Sequence, residues 1–103
     1  MAISGQFGHL QALLVEPSAM QAKIIRKVCD EVGLTQVQLV GSAADADAAM
    51  RAARPDVVLS ALYLPDRSGT ELLTAMRADP VLQNVAFILI SSETRPQALD
   101  PIR

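Results

Sequence analysis

Short apolar blocks alternate along the chain with stripes of apolar residues at helical spacing. The blocks are 10–15 (Leu-Gln-Ala-Leu-Leu-Val), 36–41 (Gln-Val-Gln-Leu-Val-Gly), the run from Val57 to Leu64, and 85–91 (Val-Ala-Phe-Ile-Leu-Ile-Ser). Bounded by turn residues and rich in β-formers, they predict four strands, the third suited to burial on both faces. Between them, Ser18 with Gln21, Ser42 with Asp45 and Ser68 with Glu71 repeat the capping-box spacing and predict three helix starts. In the first helix Ile24, Ile25, Val28, Cys29 and Val32 make the predicted buried face, and Gly33 supplies a left-handed stop. The second runs to about Ala53 and buries only Ala46, Ala49, Met50 and Ala53, which allows close packing on a sheet. Asp45 and Asp47 at its start, with Arg51 and Arg54 at its end, complement the helix dipole. The third buries Leu72, Leu73 and Met76 and stops at Asp79-Pro80. Thr94 with Gln97 opens a last helical piece that Asp100-Pro101 interrupts.

The order is β-α-β-α-β-α-β-α, with connections long enough for right-handed crossovers. It predicts an α/β fold: a parallel sheet with helices on both faces. Residues 1–9 show no period and form a flexible lead-in; residues 10–103 make one domain, large enough for a core without disulfides or metal staples. Only Phe7, Phe87 and Tyr63 are aromatic, so that core is aliphatic. A formal charge of −2 and the lack of stacking aromatics give no reason to expect nucleic acid. Cys29 has no partner for an internal disulfide and lies in an apolar stripe, where a buried, inert thiol is expected. His9 is the only histidine and, with no second ligand type nearby, reads as a surface residue. No apolar run reaches the roughly 18 residues of a membrane span, and no signal-peptide pattern opens the chain, which fits a cytoplasmic domain.

Chemistry in an open parallel sheet collects at the carboxyl ends of its strands, at a topological switch point. Those ends are Glu16-Pro17, Ser60-Ala61 and Ser91-Ser92. A crevice there holds one carboxylate, a few hydroxyls and aliphatic groups. Ser60 precedes Ala61 on a strand and is expected on the opposite face. Asp66, in the loop beyond, reads as a turn or helix-start residue. Glu16 reads either as a neighbour of Ser91 or, more simply, as a solvated carboxylate.

The pieces Leu14-Val15-Glu16-Pro17-Ser18, Pro55-Asp56-Val57-Val58-Leu59, Leu64-Pro65-Asp66-Arg67-Ser68-Gly69-Thr70-Glu71-Leu72-Leu73 and Ile88-Leu89-Ile90-Ser91-Ser92 fall in order over roughly residues 10–103. Together they resemble the receiver domain of bacterial two-component response regulators. The resemblance implies a CheY-like, flavodoxin-like, doubly wound sheet of order 2-1-3-4-5, with the fifth strand and helix absent from this sequence. It also implies a site: an aspartate nucleophile four residues before the loop proline, an acidic pair holding Mg²⁺ at the end of strand one, a hydroxyl ending strand four and a lysine ending strand five. Here the nucleophile position is Ala61, the acidic pair is Glu16 and Pro17, and the hydroxyl is Ser91. A methyl group accepts no phosphoryl group, and one carboxylate is too few for the metal.

The resemblance therefore points to a degenerate pseudo-receiver of phosphorelay signal transduction, without Mg²⁺ or another cofactor, acting as a protein-interaction module. Its expected partners are other signalling proteins or domains of the same polypeptide, not nucleic acid or membrane. The alternative is a flavodoxin-like small-ligand or anion binder, disfavoured because no Gly-rich loop follows strand one. An enzyme is not expected: there is no nucleophile elbow, and no histidine stands at a strand end. With strand five missing, Val85–Ser91 becomes an apolar sheet edge and a candidate for homodimer formation.

Overall fold

In the computed structural model, which describes residues 7–90, the elements run β1 (Gln11–Val15), α1 (Ala19–Glu31), β2 (Gln36–Val40), α2 (Ala43–Ala52), β3 (Val57–Ala61), α3 (Gly69–Arg77) and β4 (Ala86–Ile90). The first six residues of the lead-in, Ser91 and the Thr94–Gln97 cap lie outside the described residues. All strand pairs are parallel, in the order β2-β1-β3-β4. Every residue of β3 is buried, but the strand ends at Ala61, short of the predicted Leu64, and Tyr63 beyond it is exposed; β2 and β4, at the two sides of the sheet, mix partly buried with exposed residues.

Two cores form, one on each face. Leu13, Val15 and Val58 pack with Ala43, Ala46 and Met50 of α2, Leu72 and Met76 of α3, and Leu82 and Val85 before β4. Leu14 and Leu59 face the other way, onto Ala22 and Cys29 of α1, with Ile25 and Ile90 at the margin. This division follows from the period-two alternation of side chains along a strand. Burial pushes the Cys29 thiol up, with the Asp30 carboxylate adding to it, consistent with an inert core residue. His9 is exposed.

Local signals account for the helix ends. The side chains of Ser18, Ser42 and Ser68 accept from the backbone N–H groups of Gln21, Asp45 and Glu71. A reciprocal bond is present only in α3, where Glu71 reaches back to the Ser68 N–H at 2.9 Å. The capping boxes expected at Ser18 and Ser42 are thus half-formed; at the second, Asp45 is one methylene shorter than glutamate. Gly33, at φ 87°, ends α1 in the left-handed region.

Two expected faces need correction. In α1, Ile24 and Val28 are exposed, as is Val32 at its C-cap, and Ala22 and Cys29 are the buried residues. The apolar pattern on that helix is wider than the arc that rests on the sheet. In α2, Ala53 is exposed and Ala43 is buried instead, because the helix presents its first turn to the sheet and has ended by Ala52.

Long-range bonds seat the remaining loops. The Gln11 N–H donates to the Asp56 carboxylate at 2.7 Å while the Asp56 N–H donates to the Gln11 carbonyl at 2.8 Å. The Arg77 guanidinium donates to the Gln83 and Val85 carbonyls, both at 2.9 Å, and holds the turn into β4.

Candidate functional site

β1 and β3 end side by side. Val15 pairs with Ser60, so the next residues, Glu16 and Ala61, stand at adjoining strand ends, and Ala61 pairs on its other side with Ile90. This is where the strand order reverses, and where a doubly wound sheet opens its crevice.

Ala61 is buried, and the group it offers there is a methyl. Ser60 is completely buried on the opposite face, as alternation requires, and its hydroxyl donates to the Ala61 carbonyl at 2.9 Å. No nucleophile is therefore presented from the end of β3.

Glu16 departs from the solvated carboxylate expected of it. It is 5% exposed; its Oε2 accepts the Ser18 N–H at 3.0 Å, and its Oε1 is buried without a hydrogen-bond partner among the described residues. The short reach to Ser18 folds the carboxylate against the start of α1 instead of outward into water. Pro17 is exposed and brings neither a carboxylate nor an N–H.

These residues do not fit a divalent cation. Hard cations take oxygen ligands, commonly from carboxylates, and Glu16 is the one carboxylate at the two strand ends. Among the described residues no cluster of three His, Cys, Asp or Glu side chains could hold a metal ion. Ser91, the hydroxyl position, lies outside the described residues.

Gly69 closes the site from behind. A Cβ at Gly69 would stand 2.3 Å from the Ala61 carbonyl oxygen, 2.8 Å from Leu89 Cδ1 and 3.1 Å from Ser60 Oγ. Glycine is required because the first turn of α3 backs onto the end of β3, and its N–H donates to the Leu62 carbonyl at 2.7 Å. The sequence marks Gly69 as a turn residue but carries no sign of this close approach.

Asp66 has a role that sequence reasoning missed. Its two carboxylate oxygens accept the N–H groups of Ala43 and Ala44, each at 2.9 Å, across 23 and 22 residues of chain. Together with Ser42, which accepts from Asp45 through its side chain and from Ala46 through its carbonyl, Asp66 satisfies the first four donors of α2. The Ala43 N–H, followed by that of Ala44, holds the Asp66 carboxyl below its ordinary value. Next to it, Arg67 bonds Asp47 of α2 at 2.6 Å, which raises the guanidinium pKa. The β3–α3 loop is thus anchored to the N-terminal half of α2, and both carboxylate oxygens of Asp66 are engaged there.

A groove of about 380 Å³ lies elsewhere, between α2 and α3, lined by Met50, Met76 and Leu82 with Asp47, Arg51 and Asp79 at its rim. Neither Glu16, Pro17 nor Ala61 lines it.

Comparison with known proteins agrees with this architecture. A family model for the response regulator receiver domain matches residues 12–100. The receiver domain of a signal transduction histidine kinase from Syntrophus aciditrophicus superposes with a TM-score of 0.75 at 26% identity, over 87% of this chain and 67% of that one. The phosphorylated cyanobacterial phytochrome response regulator RcpA gives 0.73 at 25% identity, over 88% and 71%. An uncharacterized 76.5 kDa protein from the phbC 3' region of Thiocystis violacea is 32% identical over 81 residues, which are 79% of this chain and 12% of that protein. The chain therefore spans about one eighth of the length of that curated relative. With the strand order, the reversal point and the family match in agreement, the chain belongs to the response regulator receiver domain family of two-component signalling.

Proposed function

We propose that this domain is a pseudo-receiver: it keeps the receiver fold as a protein-interaction module and has lost the aspartyl-phosphate switch. The observation that carries this reading is the end of β3, where Ala61 presents a buried methyl beside a single carboxylate, Glu16. Phosphoryl transfer to a side chain needs a nucleophile, and Mg²⁺ needs oxygen ligands to place it there. Ala61 and Pro17 remove both requirements at once. A site without a nucleophile has no electrostatic need for a concentrated acidic pair, so the two losses are coherent.

Without the switch, the remaining activity is recognition by surface. Its partners are other signalling proteins or further domains of the same polypeptide, and no step of the reading calls for a cofactor. Titration with Mg²⁺, followed by calorimetry, tests the lost metal site. The expected result is no saturable binding below about 1 mM, as for an isolated carboxylate. Sub-millimolar binding that disappears in Glu16→Ala would refute the reading.

A further inference from the structure

Among the described residues β2 pairs with β1 and with no strand beyond it. The Val40 carbonyl accepts the Glu16 N–H at 2.9 Å and therefore faces β1. Backbone groups alternate in direction along a strand, so those of Gln36, Gln38 and Val40 face β1, and those of Val37 and Leu39 face outward. No described residue bonds these outward groups.

Free edges are ordinarily blunted by charge, proline, a bulge or a covering segment. From Leu34 to Ser42 the chain carries neither a charged residue nor a proline. The register with β1 runs through Gln36–Val40 without a bulge. Leu39 is 41% exposed, whereas Val37, two residues back on the same face, packs into the core under α1.

The occupant that fits this edge is the same edge of a second copy. Turned antiparallel about a two-fold axis at Gln38, each Val37 stands opposite Leu39 of the twin as a hydrogen-bonded pair. Such a pair exchanges both of its bonds, so every outward group of Val37 and Leu39 gains a partner. Moving the axis to Val37 or Leu39 sets one member of the pair against Thr35 or Gly41, beyond the strand ends. Leu39 is covered by the twin's Val37, and Gln38 meets its own copy, amide to amide, with no like charges opposed. A two-fold contact requires a surface complementary to itself, and this strand meets that condition.

We propose that two copies of this chain associate edge to edge through antiparallel pairing of β2 on β2, forming one sheet continuous across both. The β4 edge lies at the far side of the sheet, so what pairs there leaves β2 unchanged. No side chain of the crevice takes part, and the proposal is independent of whether Ala61 accepts phosphate.

Sedimentation equilibrium and amide hydrogen exchange on the whole chain test the proposal, with circular dichroism confirming that each variant is folded. A dimer is expected at about 500 µM, with Leu39→Lys raising the dissociation constant at least about tenfold. Leu39→Pro is expected to do the same, since it removes an N–H that the pairing with β1 does not use. The amides of Val37 and Leu39 should gain protection as concentration rises, while those of Gln36, Gln38 and Val40 are protected throughout. A chain that is monomeric at that concentration would overturn the proposal. So would a dimer indifferent to both Leu39 substitutions, one lost in Ile88→Lys on β4, or one in which the Val37 and Leu39 amides exchange as fast as in the monomer.

Discussion

At Gly69 the absence of one carbon atom sets how closely α3 approaches the end of β3. The atoms that a Cβ would meet include a backbone carbonyl, which cannot swing aside as the end of a flexible side chain can. Gly69→Ala must therefore shift the helix or the strand, and overpacking of this kind costs about 1–3 kcal/mol. Urea denaturation is expected to show a lower midpoint with an unchanged slope. That Ala61 stands at the carboxyl end of β3 was legible from the apolar run leading into it, because that pattern is local. Glu16 was not legible as a buried group, since its neighbours in sequence are Pro17 and Ser18 and a polar strand end ordinarily faces water. In the folded chain it is buried all the same, with one oxygen accepting the Ser18 N–H at the start of α1.

Among the elements, α2 shows how a helix end is completed from a distance. Ser42 was readable as its cap because Asp45 lies three residues on, but the donors of Ala43 and Ala44 are satisfied by Asp66 from the loop after β3. Nothing in the local pattern joins these segments, and the β3–α3 loop is consequently coupled to α2. Because the folded-state pKa of Asp66 lies below its ordinary value, its stabilisation is full at neutral pH. It declines only below the ordinary carboxylate value of 3.8, as the pH falls through the lowered one. Melting temperatures of wild type and Asp66→Ala should accordingly differ by a constant amount from neutral pH down to that value and converge below it. A gap that stays unchanged in strong acid would show that the carboxylate charge is not what holds α2. The first helix teaches the converse lesson. Its period was legible, but a period does not say which part of a wide apolar arc is covered, and Ile24 and Val28 fell outside the contact.

Across the whole molecule, the fold class was readable because alternating strands and helices with long connections leave few topologies, and the order β2-β1-β3-β4 is the one expected. Among the described residues, α2 and α3 share one face of the sheet and α1 covers the other. The family membership supplies the receiver architecture, and the residues at the strand ends decide what that architecture can still do. No helix among the described residues is long and apolar enough to cross a membrane. The central claim is that the receiver fold survives here without its phosphorylation chemistry, and it rests on the methyl group of Ala61. Incubation of the whole chain with acetyl phosphate and Mg²⁺, followed by intact-mass measurement, tests it most directly. The account predicts a mass unchanged from the untreated protein; a stoichiometric, hydroxylamine-labile gain of one phosphoryl group would contradict it.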